Sequence, residues 1–319
     1  MPTDTPQLYL ARSAWKQWLA ASAAALALLT GASLLMHLRK PAPTELERQV
    51  QQLSKELQQM RQDQAMPSLV LNRYRDSICY IYGVYSVSYG RGSQRVYPGL
   101  RARVAGTGFV VAPGLVATNR HVAEPWYGDP EADAMIRRGG VPRLERLMAF
   151  FPGMPAAADI TPVAVSTDTD LAIVRIGDSP AALRRPGLPL AEIPAPAGEL
   201  VTVIGYPMGV AGMVAKSPQP IYERLAYRHD DMGAANELAA LSLIRPSATY
   251  GHLGDVVGNK LVYDAPTAHG GSGGPVFDSH GQVIGVNSAY MDGFSGGNLG
   301  ISVGALKPLI EAAQRQRVP

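Results

Sequence analysis

The sequence predicts an all-β fold of two β-barrels preceded by helical segments, and three observations support this prediction. From Ser77 onward, short runs of β-branched and aromatic residues are separated by Gly and Pro, which is typical of strands joined by turns. A proline-rich stretch from Ser179 to Pro196 indicates a connection between two halves. Finally, a His, an Asp and a Ser each lie at the end of a predicted strand or in a loop, where a rigid scaffold presents functional side chains.

Composition places the chain among globular proteins. Its 319 residues, 46% of them apolar, suffice for one large or two small cores with appendages. The net charge of +3 is spread without a dense basic run, so nothing in the sequence indicates nucleic-acid binding. The single cysteine, Cys79, excludes an internal disulfide and is interpreted as a packing residue, because neither a Lys nor a second Cys accompanies it.

The N-terminal segment, 1–40, is interpreted as a tail and a transmembrane anchor. Leu19–Leu38 contains no Asp, Glu, Lys or Arg over about twenty residues, the length of a helix that spans a bilayer core. Trp15 and Trp18 stand at one edge, as interfacial anchors do. Two alternatives stay open: a cleavable signal peptide with a small-residue site at 30–32, and a buried soluble helix.

The next segment, 41–67, is predicted to form a short coiled-coil stalk. Thr44 and Glu47 resemble a capping box at its start, and Pro67 is expected to end the helix. Such a stalk would join protomers into a dimer or trimer. The alternatives are an amphipathic helix lying on the following domain and a helical spacer. The prediction rests on apolar residues at alternating four- and three-residue steps, which are Leu46, Val50, Leu53, Leu57 and Met60.

The candidate nucleophile is Ser272, which lies among four glycines in the segment Ala268–Phe277. Glycines allow positive φ and close approach of the backbone to another molecule. Acyl transfer requires an accessible Oγ with N–H groups on either side that converge on the oxyanion. Taken alone, the motif is equally compatible with an incidental serine in a glycine-rich loop.

Two upstream segments supply the partners of such a nucleophile. A predicted hairpin from 109 to 122 runs into His121, and Asp170 opens an apolar strand that ends at Ile176. In this arrangement the Ser attacks, the His removes its proton and the Asp fixes the His tautomer. Asp168 is the alternative candidate for the Asp that fixes the His tautomer. The chain order His, Asp, Ser belongs to the two-barrel, chymotrypsin-like plan.

Further motifs accompany these residues in a fixed order: Gly106-Thr107-Gly108-Phe109, Thr118-Asn119-Arg120-His121-Val122, Asp170-Leu171-Ala172-Ile173-Val174, Gly205-Tyr206-Pro207, Gly270-Gly271-Ser272-Gly273-Gly274-Pro275, Gly285-Val286-Asn287-Ser288 and Gly296-Gly297-Asn298-Leu299-Gly300-Ile301. Over about residues 75–313 the sequence thereby resembles trypsin-like serine peptidases of the bacterial HtrA (Deg) type. The resemblance implies a chymotrypsin-like double six-stranded β-barrel. Barrel one is expected at about 75–180, a linker at 181–198, barrel two at 199–304 and a C-terminal helix at 305–315.

The resemblance also implies a serine endopeptidase that needs no cofactor or metal. Ser272 would be the nucleophile, His121 the general base and then acid, and Asp170 the residue that orients His121. Asp170 is preferred to Asp168 because it lies directly before the Leu-Ala-Ile-Val strand, as in the family. The N–H groups of Gly270 and Ser272 would form the oxyanion hole.

Protein or peptide substrates are expected to bind as an added strand beside Val286, Asn287, Ser288 and Ala289. Pro266 is expected at the base of the pocket for the residue before the scissile bond. None of these residues is acidic, so a buried Lys or Arg of the substrate would find no counter-charge. Cleavage after small or medium apolar residues is therefore predicted.

The expected location is the bacterial inner membrane, with a single span and a periplasmic protease domain. The resemblance implies export, whereas basic residues after the span would, by the positive-inside rule alone, keep the domain in the cytoplasm. The chain ends at Pro319, and no PDZ domain is expected. The implied role is envelope protein quality control or regulated proteolysis. The alternative is a catalytically silent, membrane-tethered scaffold that retains the protease fold.

Three features depart from the family or lack an assigned role. The insertion 208–243 contains His229, Asp230 and Asp231, where a solvated loop is favoured over a metal site because no further His or Cys lies near in sequence. His269 stands where the family usually has Pro and is interpreted as a packing residue. The glycine run is expected to leave the Gly270–Gly271 peptide free to turn away from the oxyanion site.

Overall fold

The computed structural model describes residues 7–38, 44–90, 97–192, 195–290 and 297–316. The chain divides into two compact units, residues 1–60 and 61–319. The first unit contains helix α1 (Gln7–Leu38) and the first half of α2 (Glu45–Tyr74). The predicted transmembrane segment lies within α1. Among the residues whose side chains are described, no helix is both long enough and apolar enough to cross a membrane, so that prediction is not confirmed.

Helix α2 begins with the predicted capping box. The Thr44 N–H donates to Glu47 Oε2 at 2.7 Å, and the Glu47 N–H donates to Thr44 Oγ1 at 3.3 Å. The two side chains thus satisfy N–H groups that have no partner inside the helix. The predicted seam residues, Leu46 to Met60, are at least half exposed on this helix. The coiled coil itself stays a prediction, because a single chain does not test it.

Pro67 does not end α2, as the sequence predicted, but lies inside a helix that continues to Tyr74. A proline inside a helix removes one hydrogen bond and strains the preceding turn. Packing in the second unit compensates for this cost. Val70 is buried, and the ring of Tyr74 stacks on Phe277 with centroids 5.5 Å apart.

The first barrel is closed by six antiparallel strands in the order β1-β2-β3-β6-β5-β4. Both faces of β1 are buried because its side chains alternate between two cores. Cys79 and Ile81 face the inside of this barrel, whereas Ile78, Tyr80 and Tyr82 join a larger core that extends into the second barrel. The strands are β1 (Ile78–Tyr89), β2 (Tyr97–Ala112), β3 (Leu115–Thr118), β4 (Val141–Phe150), β5 (Ala158–Val165) and β6 (Ala172–Ile176).

The second barrel repeats this arrangement in the order β10-β11-β12-β9-β8-β7. The prediction of two six-stranded barrels is therefore confirmed. Burial raises the pKa of the Cys79 thiol above its usual range, in keeping with its interpretation as a packing residue. The strands are β7 (Leu200–Gly205), β8 (Ser247–Val257), β9 (Lys260–Tyr263), β10 (Pro275–Phe277), β11 (Val283–Tyr290) and β12 (Asn298–Ser302).

Strand β8 (Ser247–Val257) has no clear strand signal in the sequence. Two glycines, a His and an Asp give β8 little of the composition of a strand. It forms because β7 pairs with its first half and β9 with its second, which are partners that no local pattern reveals.

Helices fill the connections between strands. The insertion 208–243 contains three helices, which are α6 (Gly209–Ala215), α7 (Gln219–Leu225) and α8 (Asp231–Ala240). The C-terminal helix α9 packs against β11 and β5, and Leu306 and Ile310 are buried along its apolar face. The helices are α3 (Arg120–Ala123), α4 (Pro130–Arg137), α5 (Pro180–Leu183), α6 (Gly209–Ala215), α7 (Gln219–Leu225), α8 (Asp231–Ala240) and α9 (Val303–Arg315).

Candidate active site

A cleft of about 650 Å³ collects the three predicted catalytic side chains. His121 comes from α3, directly after β3, and Asp170 comes from the loop before β6. Ser272 comes from the glycine-rich loop before β10. The first barrel thus supplies the His and the Asp, and the second barrel supplies the Ser.

Asp170 holds His121 through two hydrogen bonds. Its Oδ2 lies 2.7 Å from His121 Nδ1, and its Oδ1 accepts from the His121 main-chain N–H at 2.9 Å. Holding the ring at Nδ1 directs Nε2 toward the role of proton acceptor. The rival, Asp168, is exposed and accepts from the hydroxyl of Thr167 instead. The geometry therefore favours Asp170 for the third role.

Asp170 is itself fixed by two further residues. The Asn119 amide donates from Nδ2 to the Asp170 carbonyl at 2.8 Å. The Ser288 hydroxyl donates to Asp170 Oδ2 at 2.9 Å. Ser288 was predicted as a residue of the substrate-binding strand, and its contact with the carboxylate is an addition that the sequence did not reveal.

The Ser272 hydroxyl has a different partner from the one that catalysis requires. Its Oγ donates to the Ser288 main-chain carbonyl at 3.0 Å. Between the described Ser272 and His121 side chains no hydrogen bond is formed. Catalytic hydrogen bonds are often long or misaligned before substrate binds, and they tighten in the complex. The arrangement therefore requires the Ser272 side chain to turn toward His121.

The oxyanion loop is oriented by its carbonyl groups. The His269 carbonyl accepts from the Met208 N–H at 2.6 Å, and the Gly271 carbonyl accepts from Asn287 Nδ2 at 2.8 Å. In a trans peptide the N–H points opposite to the C=O. The N–H groups of Gly270 and Ser272 therefore point away from these two anchors, as donors to an oxyanion must.

Gly270 is required at its position for two reasons. Its φ is +88°, which disfavours residues with a Cβ, and an added Cβ would lie 2.5 Å from the Tyr206 carbonyl oxygen. In this structure the Gly270–Gly271 peptide, which the glycine run was expected to leave free to turn, is hydrogen-bonded at both ends. The Gly270 carbonyl accepts from Thr107 Oγ1 at 2.7 Å, and the Gly271 N–H donates to the Ala268 carbonyl at 2.9 Å.

Thr107 is one of two buried residues whose role sequence reasoning missed. Its hydroxyl donates to Gly270 and accepts from the Tyr206 N–H at 3.0 Å, and its own N–H donates to the Ser272 carbonyl at 2.7 Å. A first-barrel residue thereby holds the second-barrel loop on both sides of Gly271, through its side chain at Gly270 and its main-chain N–H at Ser272. The signal was the Gly-Thr-Gly motif, but its distant partners are not visible in sequence.

Asn287 is the second such residue. Its Nδ2 donates to the Gly271 carbonyl and to Thr267 Oγ1, and its Oδ1 accepts from the Tyr263 hydroxyl at 2.5 Å. Burial raises the pKa of Tyr263 far above its usual range, so its hydroxyl stays protonated and remains a donor. Asn287 thus holds the oxyanion loop at the Gly271 carbonyl and also lines the cleft.

The predicted substrate-binding residues are placed differently from one another. Asn287 and Ser288 line the cleft, whereas the side chain of Val286 is buried in the core of the second barrel. Pro266 is exposed and does not line the cleft; its neighbours Thr267 and Ala268 do. Ala289 continues β11, but its side chain lies outside the described residues.

The acidic residues of the insertion have structural partners. Asp230 caps α8 by accepting from the Gly233 N–H at 2.9 Å, and Asp231 pairs with Arg103 at 3.1 Å. Elsewhere in the described residues, Glu199, Asp278 and His280 place possible metal ligands within 4.8 Å of one another. The two carboxylates already accept hydrogen bonds from residues 279–282, and none of the three lines the cleft.

Two β-barrels with a His, an Asp and a Ser in one cleft are the arrangement of a serine protease, which is a hydrolase. The model of the trypsin-like peptidase domain matches residues 106–286, which is more than half of the chain. The chain therefore belongs to the trypsin-like peptidase family.

Curated relatives agree with this assignment. The chain is 28% identical over 204 residues to a probable periplasmic serine endoprotease, DegP-like, of Bartonella henselae, covering 64% of this chain and 31% of the relative. It is also 28% identical over 181 residues to the serine protease Rv3671c of Mycobacterium tuberculosis, covering 57% and 35%. The chain thus spans about a third of the length of these relatives.

Solved structures show the same fold. The serine endoprotease from Yersinia pestis superposes with a TM-score of 0.50 at 18% identity, covering 78% of this chain and 67% of that chain. The HtrA-type protease AlgW with a decapeptide gives a TM-score of 0.50 at 16% identity, covering 78% and 68%. At these identities the likeness concerns the fold.

Proposed function

We propose that the protein is a serine endopeptidase of the HtrA type that hydrolyses protein substrates through His121, Asp170 and Ser272. The observation that carries this proposal is the 2.7 Å contact between His121 Nδ1 and Asp170 Oδ2 in the cleft that also contains Ser272. The family match and the DegP-like relatives support it.

The proposed reaction begins when Ser272 Oγ attacks the carbonyl carbon of the scissile peptide bond. His121 Nε2 accepts the hydroxyl proton, and Asp170 stabilises the resulting imidazolium. The negative charge that develops on the substrate oxygen is held by the N–H groups of Gly270 and Ser272. His121 then protonates the leaving amine, and a water molecule releases the acyl group by the same steps in reverse order.

The substrate would lie as an extended strand along Asn287 and Ser288, with main-chain hydrogen bonds supplying affinity. In this binding mode the Ser288 carbonyl, now occupied by the Ser272 hydroxyl, becomes an acceptor for the substrate backbone. Substrate binding would thus release Ser272 to turn toward His121. The expected role is envelope protein quality control or regulated proteolysis.

We further propose that the protein acts in the periplasm and is attached to the inner membrane through α1. The DegP-like relatives are described as periplasmic. Leu26, Leu28 and Leu29 of α1 are each more than 60% exposed in the chain, an apolar surface that lipid would cover. The full-length protein is expected to resist carbonate extraction from membranes. Protease added to spheroplasts is expected to digest the barrels, and their survival until lysis would disprove the periplasmic location.

The alternative is a silent scaffold, and the Ser272–Ser288 hydrogen bond is the observation in its favour. A fluorophosphonate probe decides between the two, because it reacts only with a serine activated by a base. The wild-type protein is expected to be labelled and to digest an unfolded protein, whereas Ser272→Ala is expected to do neither. A wild-type protein that stays unlabelled and inactive would favour the scaffold.

A further inference from the structure

Arg103 of β2 lies at the edge of two cavities that both contain Ser272. The first is the cleft already described, and the second has a volume of about 330 Å³. Arg103, His121 and Ser272 line both of them. A first-barrel arginine therefore faces the same two cavities as the proposed nucleophile.

The second cavity is on the leaving-group side of Ser272. It shares His121, Gly270 and Ser272 with the catalytic machinery but contains no residue of β11. In the proposed function, on which this inference rests, the acyl part of the substrate lies along β11. The part that follows the scissile bond must then leave in the other direction, past His121, which protonates it.

The described residues that line the second cavity include a positively charged side chain and no carboxylate. Among the described residues that line the two cavities, Arg103 is the only Lys or Arg, and no Asp or Glu lines the second cavity. A substrate carboxylate in that cavity would meet a guanidinium, and the described residues that line the cavity supply no carboxylate to repel it. A substrate lysine there would meet a like charge.

Asp231, the first residue of α8, pairs with Arg103 but occupies only part of its guanidinium. The contact joins Arg103 Nη1 to Asp231 Oδ2 at 3.1 Å, and both side chains are about half exposed. A guanidinium carries five N–H donors, so it can serve a second carboxylate. Exposed ion pairs are weak, so a substrate carboxylate can also compete with Asp231.

We propose that Arg103 selects substrates with an acidic side chain within the first three residues after the scissile bond. Arg103 is thus assigned as a specificity residue that contacts the leaving portion of the substrate. Asp231 moderates this selectivity because it occupies part of the same guanidinium.

The test uses peptides with one fixed sequence before the scissile bond and an amidated C-terminus, so that only side chains carry negative charge. Asp, Asn or Lys is placed in turn at each of the first three positions after the bond. At one position the wild-type kcat/KM is expected to favour Asp over Asn by about two- to fivefold. Arg103→Ala should abolish the preference for the Asp peptide. Arg103→Glu should instead favour the Lys peptide, and Asp231→Asn should increase the preference for the Asp peptide.

Arg101 provides the matched control. It lies two residues away on β2, pairs with Glu145 at 2.9 Å, and lines neither cavity that contains Ser272. Arg101→Ala should leave both the Asp/Asn ratio and the rate of cleavage of the Asn peptide unchanged. An unchanged Asp/Asn ratio in Arg103→Ala would overturn the inference while the proposed function stands. A lack of Ser272-dependent cleavage in the wild-type protein would overturn both.

Discussion

Ser288 is hydrogen-bonded to two of the three residues proposed for catalysis: its carbonyl accepts from Ser272 Oγ at 3.0 Å and its hydroxyl donates to Asp170 Oδ2 at 2.9 Å. The two contacts have opposite consequences for catalysis. In the proposed mechanism, the carbonyl would keep Ser272 away from His121 in the free protein, whereas the hydroxyl would help to hold the pair of Asp170 and His121.

The hydroxyl contact of Ser288 can be removed separately. Ser288→Ala deletes the donor to Asp170 and keeps the carbonyl, so we expect kcat to fall by about tenfold, the cost of one hydrogen bond to a charged group. KM should change little, because the backbone that meets the substrate is intact. Steady-state kinetics on a peptide substrate would measure both. Ser288→Thr keeps a hydroxyl and should retain more activity; equal losses in the two variants would contradict this explanation.

A substitution at Asn287 tests whether its hydrogen bond to the Gly271 carbonyl holds the oxyanion loop in place. Asn287→Asp replaces an N–H donor with an oxygen, so the Gly271 carbonyl loses its partner and meets a repelling carboxylate. If the Ser272 N–H is displaced in consequence, kcat should fall by about 10²–10³. Tyr263→Phe is the control, because it removes the hydrogen bond to Asn287 Oδ1 and leaves the contact of Nδ2 with Gly271. A fully active Asn287→Asp variant would show that the loop needs no such support.

Thr107 links the barrels through its hydroxyl, and Thr107→Val removes that group at nearly constant volume. The Gly270 carbonyl and the Tyr206 N–H would then be buried without a partner, so we expect a loss of about 1–3 kcal/mol in the free energy of unfolding. Denaturant titration followed by fluorescence would measure this loss. Thr107→Ser, which keeps the hydroxyl, should lose much less. Equal stability of Thr107→Val and wild type would contradict the assigned role.

Most strands, and the residues that meet in the cleft, could be predicted from sequence where the signal is local. Alternation along β1, the motif around His121 and the glycines around Ser272 each express a requirement of a few neighbouring residues. The elements that the sequence did not predict correctly share a different cause. β8 depends on its two partner strands, and the continuation of α2 past Pro67 depends on the packing of Tyr74 against Phe277, which is more than two hundred residues away in sequence.

The supporting residues of the site were hidden for the same reason. Thr107 acts on Gly270 across 163 positions of sequence, and the Asn287 amide is anchored by Tyr263. A motif shows that a Thr or an Asn is present but not which atoms it meets. The glycine run around Ser272 suggested mobility, whereas the folded chain fixes the Gly270–Gly271 peptide at both ends.

The cleft leads to a prediction of substrate preference. Thr267, Ala268, Asn287 and Ser288, which line it beside Ser272 on the second barrel, carry no charge. A Lys or Arg side chain buried against them would lack a counter-charge, which costs several kcal/mol. A peptide library varied at the residue before the scissile bond should therefore show cleavage after Val, Ala or Leu. A clear preference for Lys or Arg would contradict this assignment.

The last prediction concerns the oligomer. Val50, Leu53 and Leu57 of α2 are between 50% and 64% exposed in the single chain, although they are apolar and follow a heptad spacing. Barely two heptads are marginal as an isolated helix in water, so a partner that covers this seam would stabilise it. We therefore expect the full-length protein in mild detergent to sediment as a dimer or trimer.

Replacement of Leu53 and Leu57 by Glu places repelling charges in the seam and should shift the protein toward the monomer, because two buried carboxylates would face their copies. Replacement of Ser54 and Gln58 by Glu is the matched control, since it adds the same charge one position further along the helix, off the seam. Sedimentation velocity over a range of protein concentrations would compare the three proteins. A wild-type monomer at all concentrations, or an oligomer that the seam variant does not weaken, would show that α2 is a spacer and not a coiled coil.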